Sequence, residues 1–164
     1  MTERTYASPP GGLPPQSDLL TGRAVFTEAY AVIPAGTMRD ITVTALPFWT
    51  ETKVWVIARP MTGFAETFSH YIVEVAPGGG STHPETNPEA QAALFVTEGQ
   101  IVVTIDGQPH RMSPGGYAWL PPGCDWTLEN QAPSQAVFHW IRKRYIEVDG
   151  IETPAAFVTN ERDH

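Results

Sequence analysis

An all-β fold, a sandwich or barrel of short strands, is what this sequence predicts, and three observations carry the prediction. The chain has 16 Pro and 14 Gly in 164 residues, which works against long helices because Pro removes a backbone donor and Gly carries excess backbone entropy. Short runs rich in β-branched and aromatic residues recur along its length. Turn residues such as PAG, PGGG, EG, DG, SPGG, PPG and APS bound these runs, and regular punctuation of this kind marks a sandwich or barrel.

In chain order the expected strands are AYAVI (29–33), DITVTAL (40–46), KVWVIA (53–58), SHYIVEVA (69–76) and AALFVTE (92–98). QIVVTI (100–105), YAWL (117–120), DWTLEN (125–130) and AVFHWIRKRY (136–145) follow. Between them, Glu98-Gly99 and Asp106-Gly107 predict hairpin turns within a meander over about 92–112, since Asp-Gly suits a two-residue turn in which both central residues need positive φ. Within QIVVTI, Ile101, Val103 and Ile105 are expected on one face, with Val102 and Thr104 on the other. The tail TNERDH is expected to end without a closing element.

The length fits one folded unit. The longest apolar runs, such as YAVI and ALFV, fall far short of the roughly 20 residues of a membrane span. MTERTYASPPGGLPPQSDLL lacks a basic region followed by an apolar core, so it is not read as a secretory signal, and a cytoplasmic location is expected. A net charge of −8 and a pI near 5.0 argue against nucleic acid, which needs clustered Lys and Arg. The one basic cluster, Arg142 to Arg144, is expected to be a solvated strand end. A single cysteine, Cys124, excludes an internal disulfide, and its place in a turn without a neighbouring histidine favours an incidental role over a nucleophile.

The stretch GGYAWLPPGCDWTLEN matches the second signature of the cupin superfamily, G(x)5PxG(x)2H(x)3N, at Gly115, Pro121, Gly123 and Asn130. Trp126 stands where the histidine belongs. The first signature, G(x)5HxH(x)3–4E(x)6G, aligns between Gly79 and Gly99, with Glu85 and Asn87 at the histidine positions and Ala92 or Gln91 at the glutamate position. The sequence therefore resembles a cupin-type jelly-roll β-barrel whose usual metal ligands are replaced. A divalent ion needs about three converging imidazole or carboxylate ligands, so no metal is expected in this chain.

Other residues could serve the barrel mouth. His83 and Glu85, with Glu89 or His70, are the candidates for a rebuilt metal site, although STHPETNPEA also reads as a polar loop. His139, between Phe138 and Trp140, is a candidate for the barrel interior, and His110 is expected on the surface. An indole at Trp126 would fill the mouth with apolar surface, stabilising by roughly 1.5–3 kcal/mol, and offers no lone pair to a cation. With Trp119, Tyr117 and Tyr71 it could instead line a dry pocket for a small organic ligand. The pocket candidates are thus Tyr71, His83, Glu85, Gln91, Trp119, Trp126 and His139.

The resemblance narrows further on LLTGRAVFTEAYAVIPAGTMRDITVTALPFW, GFAETFSHYIVEVAPGGG, LFVTEGQIVVTIDGQPHRMSPGGYAWLPPG and FHWIRKRYIEVDG. Together these are similar to the N-terminal half of the (S)-ureidoglycine aminohydrolase family, two-barrel enzymes of purine and allantoin breakdown. The family hydrolyses ureidoglycine to ureidoglycolate and ammonia, with manganese held by its C-terminal cupin. The resemblance implies that this chain corresponds to the metal-free barrel, in need of a second cupin half or acting as a homo-oligomer. The alternative is a stand-alone, non-catalytic cupin that binds a small polar metabolite or acts as an interaction module. The implied organisation is a flexible lead-in over 1–20, a cupin domain over 21–148 with its core at about 69–145, and an extension over 149–164.

Overall fold

The computed structural model describes residues 25–26, 30–32, 45–58 and 67–163. The lead-in at 1–20 and most of the strand expected at 40–46 lie outside these residues, and Ala45 and Leu46 are not in a strand. A short pair, β1 (Val25–Phe26) and β2 (Ala31–Val32), stands apart from the main sheet. The main sheet contains β3 (Trp49–Ala58), β4 (Phe68–Ser81), β5 (Ala90–Glu98), β6 (Ile101–Ile105) and β7 (Gln108–Met112). It is completed by β8 (Gly116–Leu120), β9 (Trp126–Glu129), β10 (Ala136–Arg144) and β11 (Phe157–Asn160). A single 3-10 turn, Glu161–Asp163, is the one helical element among the described residues.

The strands order as β11-β8-β5-β10-β4-β9-β6-β7, with β3 on the other edge of β4, and every pairing is antiparallel. Strand β4 joins the two halves of the barrel. Its first part, Phe68 to Val75, pairs with β10, whereas Gly80 and Ser81 pair with β9. The PGGG stretch, expected as a turn, therefore lies inside a long strand that changes partner. Glycine makes this possible at one position above all. Gly80 has φ +147, and a Cβ there would lie 2.0 Å from the Leu128 carbonyl oxygen, a separation no side chain tolerates.

Asn130 secures the same crossing. Its Nδ2 donates to the carbonyls of Val75 at 2.9 Å and Ser134 at 2.8 Å, while its Oδ1 accepts the Ala132 N–H at 2.9 Å. Its backbone also exchanges hydrogen bonds with Gly78 and Gly79. A fully buried amide in this position satisfies its polar atoms internally, which is the condition for burying them without penalty.

Alternation sets the interior. Val73 and Val75 of β4, Leu94 and Val96 of β5, and Phe138 and Trp140 of β10 face the core. Ile101, Val103 and Ile105 join them, and Val102 is also buried although outside that cluster. Asp106 and Gly107 both have positive φ, at 48° and 78°, as the Asp-Gly turn requires. The tail does contain a closing element, contrary to expectation: β11 pairs with β8 and carries the sheet edge out to Asn160. Its signal, FVTN, is too short to stand out from loop sequence.

Gly80→Ala is expected to lower unfolding stability by on the order of 3 kcal/mol or more, beyond ordinary overpacking, because the clash is with backbone. Urea unfolding followed by tryptophan fluorescence checks this, with Gly107→Ala, where an added Cβ meets nothing within 4 Å, as the milder comparison.

Candidate functional site: the barrel mouth

Two loops meet over one end of the barrel. The segment between β4 and β5 is shaped by its own polar groups: the Asn87 N–H donates to Glu85 Oε1 at 2.8 Å, the Glu89 N–H to Asn87 Oδ1 at 3.0 Å, and the Ala90 N–H to the Asn87 carbonyl at 3.1 Å. Between β8 and β9, Gly123 adopts φ +72 and the Cys124 N–H reaches the Pro121 carbonyl. The loops enclose a cavity of about 260 Å³ lined by Glu85, Asn87, Ala92, Cys124, Asp125 and Trp126 among others. All four positions at which the two signatures expect ligands thus border one space. Ala92 occupies the glutamate position, while Gln91 falls on the opposite face of β5.

Glu85 is the polar centre of this mouth. Its side chain is 10% exposed, and its Oε1 accepts from Arg142 Nη2 at 2.5 Å, as well as from the Asn87 N–H. Its Oε2 is buried and has no hydrogen-bond partner among the described residues. Arg142, 29% exposed, also lies over the Trp140 ring, 5.7 Å from its centroid. Arg142 is therefore not a solvated strand end. It shares the inward parity of Phe138 and Trp140 on β10, a signal present in the sequence but masked by the neighbouring Lys143 and Arg144.

These residues do not fit a divalent cation. Of the four signature positions, one is a carboxylate already held by a guanidinium, one an amide, one a methyl group and one an indole without a lone pair. Among the described residues no group of three or more His, Cys, Asp or Glu side chains could hold a metal ion. His83 is exposed on the loop, its ring 6.2 Å from that of Phe48, and it does not line the cavity with Glu85. Burial, with Asp106 and Asp125 nearby, pushes the Cys124 thiol up to about 11, so it stays protonated at neutral pH and supplies no thiolate.

Beneath the cavity the barrel is filled by aromatic rings. Trp126 is 4% exposed and meets Trp140 edge-on at 6.1 Å and 80°. Trp140 in turn packs against Trp49 at 5.4 Å and Tyr71 at 5.5 Å. Two aromatic-side expectations need correction. Trp119 sits between the buried Ala118 and Leu120 of β8 and so faces away from the interior, opposite Ala93 and Phe157. His139 likewise faces outward, because Phe138 and Trp140 take the inward places on either side of it.

On that outer face His139 finds His70. Their Nδ1 and Nε2 atoms are 2.8 Å apart, one imidazole donating and the other accepting, across the β4–β10 pairing. Burial, then the neighbouring His139, lowers His70 to about 4, and burial also lowers His139. His110, expected on the surface, is half-buried opposite Val103.

The family model of the cupin domain matches residues 71–142. The barrel has the cupin-type jelly-roll fold. Over 137 residues the chain is 26% identical to (S)-ureidoglycine aminohydrolase of Escherichia coli, covering 82% of this chain and 50% of that protein. A protein described as glyoxylate induced, from Pseudomonas aeruginosa, superposes with a TM-score of 0.82 at 56% identity, covering 98% of this chain and 58% of that one. The E. coli protein Ylba superposes at 0.79 with 23% identity, over 92% and 60% of the two chains, and shows the fold alone. The chain spans about half the length of the curated relative it matches. No helix among the described residues is long and apolar enough to cross a membrane.

Two outcomes test this account of the cupin. Trp126→His restores one imidazole but not the other ligands, so manganese content after dialysis should stay below about 0.1 per chain, measured by elemental analysis. The His70–His139 pair, whose folded values lie below the unfolded value of 6.5, contributes full stability above that pH. Acidification protonates the unfolded chain first, so stability falls as pH drops from about 6.5 towards 4. Urea midpoints at pH 7.5 and 5 should differ less in His70→Asn/His139→Asn than in the parent.

Proposed function

We propose that this cupin serves as the metal-free barrel of a ureidoglycine aminohydrolase-like enzyme of purine and allantoin catabolism, acting in the cytoplasm. Catalysis on ureidoglycine, giving ureidoglycolate and ammonia, then belongs to a second cupin bearing manganese, associated with this one as another half or another subunit. The observation that carries the reading is the similarity to (S)-ureidoglycine aminohydrolase along 82% of this chain but only 50% of that protein. The mouth chemistry supports it from an independent side: Glu85 is committed to Arg142, and Trp126 fills the place of an imidazole.

A second reading is favoured by the cavity itself. A mouth of about 260 Å³ with a half-satisfied carboxylate suits a stand-alone cupin that binds a small polar metabolite without turning it over.

The two readings separate in one experiment. Ammonia release from ureidoglycine is measured with this chain alone, with the C-terminal cupin of the E. coli relative plus manganese, and with both together. The first reading expects no release above the uncatalysed background from this chain alone and at least about tenfold more from the pair than from the C-terminal cupin alone. No increase on pairing, combined with a thermal shift of this chain by ureido compounds, favours the second.

A further inference from the structure

Of the eight exposed large apolar side chains among the described residues, four fall within 141–151: Ile141, Ile146, Val148 and Ile151. Scattered singly, such residues need no explanation, but grouped they mark a contact surface. The group is built on a small hairpin that follows β10. The Ile151 N–H donates to the Val148 carbonyl at 3.0 Å, Gly150 turns the chain with φ +77, and Val148 bridges Ile151. The bridge sets Val148 and Ile151 side by side, and Ile146 precedes Val148 by two residues, the period that returns a side chain to the same face. Ile146, Val148 and Ile151 are 69%, 55% and 65% exposed, and every residue over 146–152 is exposed. The hairpin therefore holds its aliphatic side chains in water, in a shape fixed by its own turn.

Charge on the same stretch is of both signs. Glu147, Asp149 and Glu152 stand on the hairpin, and Lys143 stands with Ile141 on the outward face at the end of β10. All four charged residues are exposed and none makes an ion pair among the described residues, whereas Arg142 and Arg144 are held by Glu85 and Glu89. Apolar side chains set among unpaired charges of both signs make the stretch complementary to itself. An isologous two-fold contact has that requirement, because one patch meets the same patch of the other copy. We propose that residues 141–152 form a dimerisation surface whose occupant is a second copy of this chain, the two hairpins packing on each other and Lys143 of each copy facing the hairpin carboxylates of the other. The patch falls short of the roughly 20–30 residues a side of a standard interface, so the dimer is a weak, micromolar one. The inference does not rest on the ureidoglycine reading above. Its readout is self-association of this chain, so it can fail while ammonia release succeeds, and the reverse.

The test is sedimentation equilibrium of the full chain from about 5 to about 500 μM, a range that brackets micromolar association. The parent should pass from monomer to dimer within it. Ile146→Ser/Ile151→Ser should weaken the dimer about tenfold or more, as loss of apolar anchors at the centre of a contact does. Lys143→Glu and Glu147→Lys/Glu152→Lys each bring like charges together and should each stay monomeric where the parent dimerises. Mixing those two variants sets opposite charges against each other at both contacts again, and the dimer should return. All these positions are exposed, so each variant should keep the urea midpoint of the parent. A parent that stays monomeric throughout, a dimer indifferent to Ile146→Ser/Ile151→Ser, charge variants that dimerise as the parent does, or charge variants that stay monomeric when mixed overturns the proposal.

Discussion

The barrel depends on one close approach of backbone to backbone, where Gly80 of β4 passes the Leu128 carbonyl of β9 with no room for a Cβ. Here β4 has left β10 and has taken β9 as its neighbour. Without the change of partner, the sheet of β11, β8, β5 and β10 would stay open and the strands β9, β6 and β7 would have nothing to close upon. Asn130 acts on the same junction from the other side, tying Val75, Ser134 and Ala132 to one buried amide. A glycine that admits the approach and an amide that holds it form one device, and the mouth loops are mounted on its two sides.

From that mounting follows the chemistry of the mouth. The β4–β5 loop delivers Glu85 to the cavity, β10 delivers Arg142, and the two meet where a cupin signature places its first histidine. A carboxylate and a guanidinium largely out of water are tolerable only as a pair, since either alone would be left as an uncompensated charge. Arg142 already supplies the positive charge that faces the Glu85 carboxylate. Trp126 acts differently. It removes a ligand and packs edge-on against Trp140, which meets Trp49 and Tyr71 as tilted rings. Packing thus stabilises the lower barrel, and the polar groups are concentrated at the rim, where a small molecule can reach them.

The outer face of the same strands carries a different balance. His70 and His139 share one hydrogen bond in a half-buried setting that favours neutral rings. Alternation along β10 places this pair on one side and the Phe138, Trp140 and Arg142 set on the other. A strand of nine residues therefore separates two kinds of polar chemistry by no more than the thickness of a sheet.

Much of this was legible beforehand, because turns and alternation are local. Asp106-Gly107, the glycines of the second signature and the buried alternation of Ile101, Val103 and Ile105 each follow from neighbours in the chain. The resemblance to the cupin signatures marked the four positions and left Ala92 or Gln91 open, and in the structure Ala92, not Gln91, lines the cavity with the other three. What local patterns could not supply was facing and partnership. His139 and Trp119 each sat in an apolar run that reads equally well in either parity, and only packing of Phe138, Trp140, Ala118 and Leu120 decided the side. The PGGG run read as a turn because glycine permits turns and crossings alike, and the choice belongs to β9, 48 residues further along from Gly80 to Leu128. By itself the sequence determined an all-β cupin with its usual ligand positions replaced. Tertiary structure alone decided that Arg142 would answer Glu85, because a charge pair across 57 positions of chain exists only once the barrel has closed.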